Sequence, residues 1–165
     1  MEAAMRKGSA VVTLPSERQI HITREFAAPR HLVYRALTEP ELIKRWWHAK
    51  RGQVTLAEVD LRVGGQWRWV MVTPEGMEVG FHGEYREIVP NERMVYTEVF
   101  EGVPGGDDNP AVNTAALVEV DGVTMLTVLT ELADQATRDM ILETGMEAGM
   151  QDAYDLLEQV ARSLA

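Results

Sequence analysis

The chain contains no cysteine, which excludes disulfide cross-links, thiolate nucleophiles and thiolate metal sites. Basic residues are scarce: 16 Lys and Arg stand against 26 Asp and Glu, a net charge of -10. Such a surface repels phosphate backbones and anionic headgroups, so neither nucleic acid nor a membrane is an expected partner. No apolar run approaches the roughly 18 residues that a membrane span needs. Ala10-Val11-Val12-Thr13-Leu14 is too short for a secretory core and stops at Pro15. A cytoplasmic location is the expectation. Catalytic signatures are missing as well. There is no G-x-S-x-G, and Gly64-Gly65 joins two strands instead of opening a phosphate-binding helix. His21, His31, His48 and His82 show no metal-ligand spacing, and Asp107-Asp108-Asn109 lacks the glycine and distal glutamate of a calcium loop. No metal or other cofactor is expected.

What is present is 45% hydrophobic residues over 165 positions, enough for one domain with a sizeable core. Residues 1–16 read as a poorly ordered leader and 17–165 as the domain. From Asp134 onward the spacing predicts one amphipathic helix of about 30 residues. Leu142, Met146, Met150, Ala153, Leu157, Val160 and Leu164 share a face, and Glu147, Gln151, Asp155, Glu158 and Arg162 lie opposite. Asp134 or Thr137 can cap its start. Gly145 and Gly149 fall within it, which suggests close approach of its backbone to a flat partner.

Upstream, nearly everything reads as strand. Gln19 to Phe26 alternates, and Pro29 and Pro40 then each open a short helix, with Leu32, Val33, Ala36, Leu37, Leu42, Ile43, Trp46 and Trp47 as buried stripes. Six strands follow from Gln53 to Leu132, separated by tight turns, with a parity shift between Leu56 and Val59 that suggests a bulge. The longest loop runs from Glu101 to Pro110, and Asp121-Gly122 is a two-residue hairpin signal. The expected fold class is α+β: a curved seven-stranded antiparallel sheet, two short helices and one long C-terminal helix lying across it.

The interior of such a sheet is either filled by side chains or left as a chamber under the helix. Its candidate lining is Trp67, Trp69, Met71, Phe81, Tyr85, Tyr96, Phe100, Met146, Met150 and Tyr154. Pliable methionines on the helix would suit a variable guest. Arg24 shares parity with Ile22 and Phe26, and Glu98 with Tyr96 and Phe100. Both can face inward, pairing with each other or orienting a polar end of a ligand, or they can form salt bridges at strand ends. His82 alternates away from Phe81 toward solvent. Asp60 and Arg62 read as a structural ion pair.

Several stretches together resemble a known family: Phe26-Ala27-Ala28-Pro29, Ala36-Leu37-Thr38-Glu39-Pro40-Glu41, Trp46-Trp47, Glu58 to Gly65, Gly83 to Pro90, and Gly145 with Gly149. The chain is similar to the START/Bet v 1-like (SRPBCC) superfamily, and within it to the C-terminal domain of the activator of Hsp90 ATPase, from about Ile20 to Leu164. The resemblance implies a helix-grip fold with a hydrophobic cavity between sheet and C-terminal helix. Three functions are then open, since fold does not settle function. One is non-enzymatic binding of a small hydrophobic molecule. Another is a co-chaperone-like module that modulates an ATPase through a chaperone or other protein. The third is a cyclase- or hydrolase-like enzyme using Arg24 and Glu98. Monomer and homodimer are both compatible with exposed sheet edges.

Overall fold

The computed structural model describes residues 9–102 and 106–165. Leader residues 1–8 and loop residues 103–105 lie outside the described residues. In chain order the elements are β1 (Val11–Thr13), β2 (Gln19–Phe26), α1 (Arg30–Thr38), α2 (Pro40–Ile43), β3 (Gln53–Val59), β4 (Gln66–Val72) and β5 (Glu78–Val89). Then come β6 (Arg93–Phe100), a 3-10 turn (Gly106–Asp108), β7 (Ala111–Val120), β8 (Val123–Glu131), α3 (Gln135–Glu143) and α4 (Met146–Ser163). All strands join one antiparallel sheet in the order β1-β2-β8-β7-β6-β5-β4-β3.

Period-two patterning makes this sheet one-sided. In β2, Ile20, Ile22, Arg24 and Phe26 are buried and the residues between them are partly exposed. The hairpin between β7 and β8 turns at Asp121 and Gly122, both at positive φ (51° and 79°), as a two-residue connection requires.

The described sheet has eight strands, not the seven expected. The additional strand is β1, in the stretch read as leader. Its β-branched Val-Val-Thr pairs with the free edge of β2 (Val12 opposite Ile22), and Gln151 clamps its start. The Gln151 side chain accepts from Ala10 N at 3.0 Å and donates to Ala10 O at 2.7 Å. The bulge in β3 falls between Val54 and Leu56, earlier than the parity of the sequence suggests. A second register shift, in β5 between Tyr85 and Glu87, reverses the alternation. Ile88 therefore turns inward opposite Met94, and Val89 is exposed.

The long terminal helix is two helices. Asp134 does cap the first, its Oδ1 accepting from Thr137 N at 2.8 Å. Gly145 then adopts φ 82° and ends the run before α4. Its missing side chain would meet nothing within 4 Å, and that of Gly149 only Arg51 Nε at 4.0 Å. Close approach to a flat partner is therefore not the reason for either glycine; the left-handed backbone explains Gly145. α4 buries Ala153, Leu157, Val160 and Ala161 against the sheet and α1. Pro40 takes the first position of α2 as expected, whereas Pro29 is the extended cap before α1. Trp46 Nε1 donates to Ala36 O at 2.8 Å and ties this helical corner together. Among the described residues no helix is long and apolar enough to cross a membrane.

Candidate ligand-binding cavity

Cross-strand register brings the inward side chains together. Trp67 lies opposite Gly83, Trp69 opposite Phe81, Tyr85 opposite Tyr96, Tyr96 opposite Asn113, and Ala115 opposite Val128. Leu37 and Trp47 reach in from the helical corner, and Tyr154 from α4. With Met94, Glu98 and Leu126 they enclose a cavity of about 130 Å³. The rings meet mostly edge to face: Trp47 with Trp69 at 5.6 Å and 72°, Trp47 with Phe81 at 5.8 Å and 89°, Trp67 with Tyr96 at 6.0 Å and 85°. This arrangement suits the ring quadrupoles and holds the wall stiff.

Of the side chains singled out from the sequence, Trp67, Trp69, Phe81, Tyr85, Tyr96, Glu98 and Tyr154 line this space. Met71 sits near the end of β4, partly buried, outside the lining. Phe100 stacks on Phe81 at 5.1 Å but is 47% exposed. Met146 and Met150 pack on the core from the first turns of α4 without reaching the cavity. Leu37 and Trp47, read as buried stripes of the short helices, complete the wall together with Met94, Ala115, Leu126 and Val128, which were not singled out. The alternation of β8 carried the signal for Leu126 and Val128. Nothing local marks Ala115, whose small side chain leaves the room.

Arg24 and Glu98 do not pair. Arg24 is wholly buried: Nη1 donates to Asp155 Oδ1 at 3.0 Å, Nη2 to Glu158 Oε1 at 3.2 Å and Nε to Glu25 O at 3.0 Å. The guanidinium lies over the Phe26 ring, 4.9 Å from its centroid. Asp155 and Glu158, which helical spacing sets opposite the apolar face, are its partners because α4 turns that edge onto β2.

Glu98 Oε1 accepts from Asn113 Nδ2 at 2.7 Å, and Asn113 Oδ1 accepts from Thr130 Oγ1 at 2.6 Å. Burial holds the Glu98 carboxyl above the usual carboxylate range, and the Asn113 amide opposes that shift. Burial also pushes Tyr154 up to about 12 and Tyr96 well above the ordinary phenol value, with the Glu98 charge adding to both. These phenols stay neutral and offer hydroxyls, not charges. Trp67 Nε1 and Trp69 Nε1 are buried with no hydrogen-bond partner among the described residues.

A second, more open concavity lies on the outer face of the sheet, lined by Glu58, Arg68, His82, Glu101 and Asp107 among others. His82 is partly exposed there, bridging Glu101 (2.8 Å) and Asp107 (2.7 Å). Asp60 and Arg62 form the expected exposed ion pair at 2.9 Å. Among the described residues no group of three or more His, Asp or Glu side chains is placed to hold a metal ion.

Residues 27–162 match the family model described as activator of Hsp90 ATPase homolog 1-like protein. No curated protein matches the chain. Among solved structures, a protein from Rhodobacter sphaeroides is similar at 26% identity, over 95% of this chain and 100% of that one, with a TM-score of 0.86. A protein from Nitrosomonas europaea is 28% identical over 92% of this chain and 98% of its own, with a TM-score of 0.80. A protein from Chromobacterium violaceum is 27% identical over 86% and 95%, with a TM-score of 0.72. With the helix lying across a one-sided sheet over an aromatic cavity, these matches lead to one assignment: the chain belongs to the activator of Hsp90 ATPase homolog 1-like family, within the START/Bet v 1-like superfamily.

Proposed function

We propose that the protein binds a small hydrophobic molecule between its sheet and α4, without chemistry on the guest. The observation that carries this reading is the space itself: about 130 Å³ walled by rings and aliphatic side chains, where a packed core would close up. Drug-sized ligands occupy about 300–1,000 Å³, whereas an engineered apolar cavity of about 150 Å³ takes up benzene. The guest is therefore of single-ring size as the side chains stand. Trp67, Trp69 and Trp47 report on it directly. Titration with benzene or toluene should give a saturable change in tryptophan fluorescence; a linear, unsaturable response up to the solubility limit would reject the reading.

The alternative of an ATPase-modulating module loses part of its surface. Asp155 and Glu158 are engaged by Arg24, and Asp152 by Arg51 at 2.8 Å. A catalytic role for Arg24 is likewise weakened, because its guanidinium is wholly buried, bonded to three acceptors and absent from the cavity wall.

A further inference from the structure

A cavity otherwise made of rings and hydrocarbon contains one acid. Among the described residues, Glu98 is the only Asp, Glu, Lys, Arg or His side chain that lines it. Its Oε1 accepts from the Asn113 amide, which Thr130 holds in that orientation, so Asn113 cannot swing round to serve a guest. Its Oε2 has no hydrogen-bond partner among the described residues. Arg24 is engaged elsewhere: it is bound to Asp155, Glu158 and the Glu25 carbonyl. The unpartnered indole nitrogens of Trp67 and Trp69 have almost no accessible surface, so they are not presented to the space. A guest therefore meets ring faces, tyrosine hydroxyls and one free carboxylate oxygen. Aromatic faces carry negative potential and attract cations, and a chain of net charge -10 raises their local concentration.

We infer that the cavity selects small organic cations carrying an N–H donor, such as alkylammonium ions, over neutral and anionic molecules of the same size. The ammonium donates to Glu98 Oε2, and the aromatic walls enclose the hydrocarbon part. The inference rests on the cavity being the binding site proposed above. An unpaired carboxylate oxygen facing a largely apolar cavity is costly and is relieved by a proton or by a cation. Burial favours the protonated form in the empty site, and an entering ammonium replaces that proton. The other titratable groups facing Glu98 do not compete: Tyr96, Tyr154 and Tyr85 are neutral phenols held above their ordinary values by burial, and Arg24 is fixed in its own cluster.

The test compares n-butylammonium, 1-butanol and butyrate on the wild-type protein, followed through the indole N–H signals of Trp67 and Trp69. The ammonium is expected to bind about tenfold or more tightly than the alcohol, with butyrate weakest. Its affinity should rise as pH increases through the raised Glu98 titration, with proton release detected by calorimetry in two buffers, and that of 1-butanol should not. In Glu98→Gln the ratio of ammonium to alcohol affinity should fall toward one. If 1-butanol binds as tightly as n-butylammonium, the cation inference falls and the cavity remains a site. If none of the probes gives a saturable shift, the cavity reading falls and takes this inference with it. Should Glu98→Gln not fold, the wild-type comparison and its pH series decide the matter.

Discussion

Arg24 links three parts of the chain through one guanidinium. It holds β2 to α4, and Glu158, which receives its Nη2, also accepts from Ala27 N at 2.7 Å with its other oxygen, just ahead of α1. Arg24→Ala removes a wholly buried charge and leaves Asp155 and Glu158 without their counter-ion. A loss of about 3–5 kcal/mol is expected, read as a lower urea midpoint at unchanged slope. Arg24→Met should cost less, because it refills the space and Asp155 keeps half its side chain in water to be solvated. By contrast, removing the exposed Arg35–Glu39 pair in α1 should move the midpoint little. Gly83 also resists substitution. A Cβ there would collide with the Thr97 carbonyl and come within 2.7 Å of Trp67 Nε1. Gly83→Ala should destabilise by about 1–3 kcal/mol and change the tryptophan emission, because the ring under which the cavity lies must shift.

The break between α3 and α4 and the tether of the 3-10 turn belong to the elements. Gly145 needs a left-handed backbone, so Gly145→Ala should cost about 1–2 kcal/mol, measured by thermal unfolding, with little change in helix content. The turn Gly106–Asp108 is held to β5 through His82, whose ring sits between Asp107 and Glu101. Hydrogen bonds from Asp107 and then Glu101 raise the His82 pKa above 6.5. The resulting stabilisation is complete below the unfolded value and disappears as pH rises through the raised folded one. Arg68, with His82 helping, lowers Glu101 to about 2, so its contribution is present above its ordinary 4.5 and is lost as pH falls toward about 2. The tether is therefore tightest between about pH 4.5 and 6.5. The His82 ring protons should titrate with a midpoint above 6.5, and Asp107→Asn should lower it; an unchanged midpoint would show that Asp107 does not hold the ring.

At the scale of the whole molecule, the cavity exists because one small residue stands among large ones. Ala115 is buried in the middle of β7 and lines the space beneath Tyr154 and Leu126. Ala115→Leu adds three carbons where there is room. The thermal midpoint should stay within a few degrees or rise, by about 1 kcal/mol at most, while the saturable fluorescence response to benzene disappears. A protein that still binds with the cavity filled would place the site elsewhere.

Local rules account for what could be read before any coordinates. Alternation named most of the inward side of β2 and the ring positions Trp67, Trp69, Phe81 and Tyr96; Asp121-Gly122 marked its hairpin; Asp134 marked its cap. Each depends on a few neighbouring residues and on backbone geometry that does not change with context. Other features depend on distant parts of the chain. The partners of Arg24 lie 131 and 134 residues away, and only the rotation of α4 against β2 turns Asp155 and Glu158 from surface charges into its counter-ions. The register shift within β5 decides that Ile88 and not Val89 faces inward, and pairing with β1 adds an eighth strand. The size of the cavity is a difference between the space the sheet and helices enclose and the side chains that fill it. Composition set what the walls are made of; packing across the sheet decided how much room remains between them.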